Sequence, residues 1–315
     1  MQRKLASHIF TVKNFKLNFC KIFEEETIIL LKFLKNSSLK NETVDISKVF
    51  FGFTLDSFGK IAFGVDFQCL KNPESPLPFA TSFDNVQNLI CHRFVNPFWF
   101  IFEHINGQRR ALNKNIKVID EFAYEMIKDA RAKKLLNVDD ETDVDKTLIE
   151  RFMESKNEDG TYLSDVQLRD VVLNFIIAGR DTTAQALSWS IYEISMNSEM
   201  EEKLYAEAMS VLGKEGTVDY DNIKELKNYQ AFFSEILRLY PSVPANVKQC
   251  VEDDTLPTGH FVPKGSMVSF YPYAMGRMES IWGKDAKQFK IERWINKETG
   301  DLKKESAFKW PAFNA

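Results

Sequence analysis

Three short stretches of this sequence combine residue types that can do chemistry. The first is Ala178-Gly179-Arg180-Asp181-Thr182-Thr183, which follows an almost wholly apolar run from Val171 to Ile177. A glycine inside a helix costs about 1 kcal/mol relative to alanine. Asp and two Thr add polar groups that need partners when buried. Gly179 and Thr182, three residues apart, share a helix face. A Thr hydroxyl can also bond back to a carbonyl one turn earlier and loosen the helix there. Bare backbone beside a hydroxyl and a carboxylate can seat a planar cofactor and relay protons. Helix physics alone favours the plainer alternative, a crossing of small residues with satisfied polar groups.

The second stretch is Glu235-Ile236-Leu237-Arg238. Glu and Arg at i,i+3 face each other. On a surface such a pair contributes about 0–1 kcal/mol. Here Phe232, Phe233, Ile236, Leu237, Leu239 and Tyr240 surround it and predict burial, where a charge pair needs further hydrogen bonds. The five donors of Arg leave room for another partner, which spacing cannot name. The third stretch is Phe289-Lys290-Ile291-Glu292-Arg293-Trp294, followed by Phe308-Lys309-Trp310-Pro311-Ala312-Phe313-Asn314-Ala315. Taken alone, each reads as an aromatic packing anchor.

These residues must be positioned by a mainly helical chain. Apolar residues recur every three or four positions through most of the first 240 residues. The pattern predicts helices over Leu17 to Leu34, Ile46 to Phe63 and Gly107 to Leu136, the last with Ile116, Ile119, Phe122, Met126 and Ile127 on one side. Ser164 and Gln167 form a capping box that opens a helix carried through to about Met196. Further helices are expected near Glu199 to Leu212 and Asn228 to Tyr240. After Pro241, Val243 to Val251 and Met267 to Tyr271 read as short strands. Lys71 to Pro78, with three prolines, is a loop, and the acidic run Asp139 to Asp145 a solvated loop with no fixed metal geometry.

The 315 residues suffice for a sizeable core, and 44% apolar with 27% charged residues excludes disordered and coiled-coil classes. A net charge of -4 argues against nucleic acid, which demands a basic field. Cys20, Cys69, Cys91 and Cys250 lie far apart, as neither a disulfide framework nor a zinc ribbon. His8, His92, His104 and His260 have no ligand-like spacing, so no metal site of protein ligands is expected. The chain holds 27 Phe against 9 Tyr and 5 Trp, a supply of apolar surface whose rings need no hydrogen-bond partner. No run approaches the ~20 apolar residues of a membrane span, and Met1 to Phe10 does not read as a signal peptide. Phe94 to Phe102 reads first as the core-packed start of a helix. The alternative is a surface that dips into a membrane face.

In this order the three stretches resemble the motifs of the cytochrome P450 family. Ala178 to Thr183 match A/G-G-x-D/E-T-T, Glu235 and Arg238 match E-x-x-R, and Glu292, Arg293 and Trp294 match P-E-R-F/W with Ile291 in place of Pro. Glu235 to Pro244 and Met275 to Trp294 also resemble the long-chain fatty-acid ω-hydroxylase subgroup. The resemblance implies the mainly α fold of that family with a small β-sheet, present here as one partial domain over residues 1–315. It implies a haem-dependent monooxygenase that inserts one oxygen atom of O2 into an apolar substrate. Electrons would come from NADPH through a partner reductase. Ala178 and Gly179 would lie over the haem, with Arg3 at a propionate. Asp181 and Thr182 would deliver protons, and the presence of Thr182 favours O2 activation over hydroperoxide rearrangement. Arg293 would close a network with Glu235 and Arg238, while Val243, Pro244, Ala245 and Asn246 would line the substrate pocket. The family's axial Cys follows F-x-x-G-x-R-x-C, and Phe313-Asn314-Ala315 fits only the first three positions. The expectation is therefore a chain truncated at both ends and inactive by itself, from a parent anchored at the cytosolic face of the endoplasmic reticulum. The rival expectation is a non-catalytic helical protein that binds apolar ligands or partners.

Overall fold

The computed structural model of the chain describes residues 11–72, 77–136, 146–157, 159–214 and 216–313. Two units divide it, Met1–Asp181 and Thr182–Ala315.

The first unit is helical. A π-helical turn, Phe15–Phe19, leads into α1 (Cys20–Leu39). The helix α2 (Ile46–Phe63) begins where Asp45 accepts the Lys48 N–H and ends at Gly64, which takes the left-handed conformation at φ 65°. A side chain there would be strained, so glycine fits the stop. There follow α3 (Pro78–Val95), α4 (Trp99–Ile105), α5 (Gln108–Leu136), α6 (Leu148–Glu154) and α7 (Asp165–Ile176). The apolar stripes of α2, α3, α5, α6 and α7 supply one core, including Leu55, Phe83, Ile119, Phe152 and Ile176. Phe79 stacks on Phe122 within it, ring centroids 4.0 Å apart. Ile116 departs from the predicted stripe and stays 38% exposed. The capping box of Ser164 and Gln167 forms as its spacing predicts.

The second unit starts with α8 (Thr182–Met196), α9 (Ser198–Leu212) and α10 (Lys227–Leu239). The Glu207 side chain of α9 accepts the backbone N–H groups of Asn228 and Tyr229, capping α10 from a neighbour. Strand β1 (Asn246–Gln249) pairs antiparallel with β4 (Met267–Phe270), Asn246 opposite Phe270. Two-residue strands β2 (Asp254–Thr255) and β3 (Phe261–Val262) form a second antiparallel pair. These are too short for alternation to reveal in sequence. A separate core gathers Met200, Leu204, Phe232, Ile236, Trp282 and Trp294. The result is the expected mainly α architecture with a small amount of sheet. Arg3, the run Asp139 to Asp145, Asn314 and Ala315, and residues 73–76 of the proline-rich loop lie outside the described residues.

Candidate functional site

The helix that opens at Ser164, expected to loosen near Gly179, passes into a π-helical turn, Ile177–Asp181, at the Ala-Gly-Arg-Asp segment. A π turn widens the backbone and breaks the ordinary i→i+4 ladder. Here Thr54 Oγ1 of α2 lies 3.0 Å from the Arg180 carbonyl and 2.9 Å from that of Phe50. The distortion is thereby satisfied from a helix more than 100 residues earlier in the chain.

Each side chain of the turn has its own surroundings. Arg180 is buried. Its Nη1 donates to Asp84 Oδ1 at 2.7 Å and to Asp181 Oδ1 at 3.2 Å, its Nη2 donates to Asp84 Oδ2 at 3.2 Å, and its guanidinium lies 4.8 Å from the Phe51 ring centroid. Asp181 Oδ2 accepts from Gln87 Nε2 at 2.8 Å. Burial pushes the Asp181 carboxyl above its ordinary range, while the Gln87 hydrogen bond and the Arg180 charge pull the other way. The α-carbon of Gly179 faces the Phe58 ring. A Cβ built there would come within 2.4 Å of that ring. The missing side chain thus serves a tight crossing with α2. Ala178, one residue earlier, is exposed.

In the second unit, Thr182 is half-buried, and its carbonyl accepts the Ser242 hydroxyl at 2.7 Å. Farther on, Glu235 and Arg238 face the core from α10, on the stripe of Ala231, Phe232, Ile236 and Leu239. Both side chains have no exposed surface. Arg238 Nε and Nη2 grip the two Glu235 oxygens at 2.6 Å each. The remaining Glu235 lone pairs accept the Lys290 N–H at 2.8 Å and Trp294 Nε1 at 2.9 Å. The remaining Arg238 donors reach the carbonyls of Gly276, Ala286 and Gln288. Arg293 Nε stands 3.4 Å from Glu235 Oε1. Its Nη groups are taken by the Trp282 and Asp285 carbonyls and the Asp285 carboxylate. The structure thus brings Glu235, Arg238 and Arg293 together, with Arg293 as the more distant partner.

Val243, Pro244 and Ala245 are exposed between α10 and β1, and Asn246 is half-buried at the first position of β1. Sequence reasoning did not single out Asp84, Gln87, Thr54 or Phe58. They carry no motif, and only the packing of α2 and α3 brings them to the π turn. Among the described residues no three His, Cys, Asp or Glu side chains could jointly hold a metal ion.

The cytochrome P450 family model matches residues 1–314. Cytochrome P450 704B1 of Arabidopsis thaliana is 37% identical over all of this chain and 66% of its own length. Cytochrome P450 86B1 of the same plant is 39% identical over 99% of this chain and 58% of its own. Cytochrome P450 monooxygenase cyp1 of Mycosarcoma maydis is 36% identical, again over all of this chain, and 50% of its own length is covered. The chain spans about half to two thirds of the length of these curated relatives.

Proposed function

The chain belongs to the cytochrome P450 family, and on that basis we propose that it is part of a monooxygenase that hydroxylates the terminal carbon of long-chain fatty acids. The second oxygen atom of O2 would leave as water, with two electrons supplied from NADPH by a partner reductase. Haem is the family's cofactor, and when bound it supplies the oxygen-activating redox chemistry. The residues at the π turn bear on where a porphyrin could lie. The surface beside Gly179 is filled by Phe58. Ala178 is exposed, and its methyl group is small enough for a flat ring to rest against. We therefore assign the cofactor surface to Ala178. Arg3, outside the described residues, would hold a propionate.

The observation that carries the reading is the hydrogen-bonded Asp181 at a π turn. A carboxyl whose proton affinity is raised by burial holds a proton closer to neutral pH, where it can be passed on. In this reading Asp181 would hold a proton and the Thr182 hydroxyl beside it in the chain would pass it toward the cofactor side of the turn. Val243 to Asn246 would contact the apolar chain of the substrate, and the Glu235–Arg238–Arg293 network would fix the backbone around them.

We also propose that the segment from Phe94 at the end of α3 through α4 meets the cytosolic face of the endoplasmic reticulum membrane. No described helix is long and apolar enough to cross a membrane. Phe94, Phe98 and Ile105 are nevertheless 86%, 58% and 77% exposed, so this aromatic run lies outside the core. Apolar groups clustered on a surface favour a membrane interface.

The test is expression of the chain with whatever sequence its transcript encodes on either side. The product is loaded with haem and given reductase, NADPH and a series of fatty acids. Terminal hydroxy acids, resolved by mass spectrometry, are the expected products. A haem-loaded enzyme that consumes NADPH yet leaves every fatty acid untouched refutes the substrate assignment.

A further inference from the structure

The first unit contains a cavity of about 570 Å³ among α1, α2, α3 and Arg180 of the π turn. Small-molecule pockets commonly span about 300–1,000 Å³, so the size suits a ligand rather than a few waters. Phe33, Phe51, Leu55 and Leu70 line it with apolar surface. Cys69 adds to that surface, because burial pushes its thiol up and keeps it neutral. Lys48, Asn72, Thr81, Asp84, Asn85 and Arg180 contribute the polar groups, the Lys48 side chain being largely exposed at the rim.

The charged groups of the lining already have partners: Lys48 Nζ lies 4.0 Å from Asp45 Oδ2, outside the cavity. The buried Arg180 guanidinium is bonded to both oxygens of Asp84 and to Asp181. An added anion would meet the Asp84 carboxylate beside the already paired Arg180, and an added cation would meet Arg180 and Lys48, each at a cost in a partly desolvated place. A neutral ligand avoids both. Asp84 Oδ1 and Oδ2 each accept one hydrogen bond from Arg180, and a carboxylate oxygen can accept a second. The Asp84 side chain is 51% exposed, so a donor can reach it. The Asn85 amide beside it can donate in return.

We propose that this cavity binds a neutral aliphatic alcohol, its chain among Phe33, Phe51, Leu55 and Leu70 and its hydroxyl donating to Asp84. The assignment is independent of the oxygenation reading, because it draws only on the cavity and its charges.

Equilibrium dialysis of the full 315-residue chain against 1-octanol, octanoate and octane tests it without any substitution. One saturable equivalent of 1-octanol is expected, bound about tenfold more tightly than octanoate. Octane, lacking the hydroxyl, is expected to bind about fivefold more weakly than 1-octanol. Ala80→Phe, on the cavity wall, should abolish saturable binding, with helix content checked by circular dichroism. Absence of saturable octanol binding to the unsubstituted chain overturns the proposal. Tighter binding of octanoate, or equal binding of octane, refutes the charge and hydroxyl arguments. Unchanged octanol binding by a folded Ala80→Phe chain places the ligand elsewhere and overturns the site.

Discussion

Substituting Glu235 by Gln keeps the shape of the side chain and removes its charge. In the structure the two Glu235 oxygens accept four hydrogen bonds, two from Arg238, one from the Lys290 N–H and one from Trp294 Nε1. The Gln amide would turn an NH2 group toward one set of these donors. It would also leave the Arg238 charge without its nearest counter-charge, in a position with no exposed side-chain surface. Breaking a buried pair in this way costs about 3–5 kcal/mol. With a urea slope of about 2 kcal/mol/M, the unfolding midpoint of the second unit should fall by about 2 M. Trp189, Trp282, Trp294 and Trp310 all lie in that unit, so their fluorescence reports its unfolding. A double substitution, Glu235→Leu with Arg238→Leu, separates two accounts of the network. Some isolated buried pairs can be replaced by apolar residues at little cost. Here the replacement would strand the carbonyls of Gly276, Ala286 and Gln288 and the donors of Lys290 and Trp294. At about 1–3 kcal/mol for each stranded group, the double variant loses at least about 5 kcal/mol. That is comparable with the whole stability of an ordinary domain. A double variant within about 1 kcal/mol of the parent chain would refute the reasoning. Glu235 and Arg238 would then be a replaceable pair rather than the hub for loops 40–60 residues away.

Three further outcomes follow from the same geometry. Gly179→Ala gains about 1 kcal/mol of helix propensity but drives a Cβ into the Phe58 ring, and overpacking costs about 1–3 kcal/mol. Urea unfolding of the first unit should show a net loss of up to about 2 kcal/mol, relieved when Phe58→Leu is added. Lys290 and Arg293 hold the Asp285 carboxyl down, from its ordinary 3.8 to about 2. Its stabilising contribution is therefore present above pH 3.8 and lost as pH falls toward 2. The Asp285→Asn variant should consequently show a shallower loss of second-unit tryptophan signal across that window. Phe98→Asp together with Ile105→Asp removes apolar groups that are 58% and 77% exposed. It should reduce co-sedimentation with phosphatidylcholine vesicles several-fold with no change in circular dichroism, whereas unchanged sedimentation rules out the segment from Phe94 to Ile105 as the membrane-facing surface.

What the sequence made legible follows from the range over which its signals act. Periodicity and caps are local, so Ile46–Phe63 appears with both ends as predicted, and the Ser164–Gln167 capping box forms where its spacing places it. The burial of Glu235 and Arg238 was legible too, because the apolar stripe of α10 runs on both sides of them. Of their partners, the family resemblance named Arg293, which stands 3.4 Å from Glu235, and the others were not legible. Glu235 is completed by a backbone N–H at Lys290 and an indole at Trp294, which no spacing within α10 can name. The same limit explains the π turn. A Gly beside polar residues marks a helix that will depart from regularity, yet the departure is fixed by Thr54, Phe58, Asp84 and Gln87, roughly 95 to 125 positions earlier. A turn wound i→i+5 also rotates its residues relative to the 3.6-residue period. Faces assigned by that period therefore do not carry through it. Gly179 meets α2 while its neighbour Ala178 is exposed, a division of labour between adjacent residues that only the packed structure decides. The motif identifies the segment where chemistry is possible, and the helices packed against it determine which of its atoms remain available.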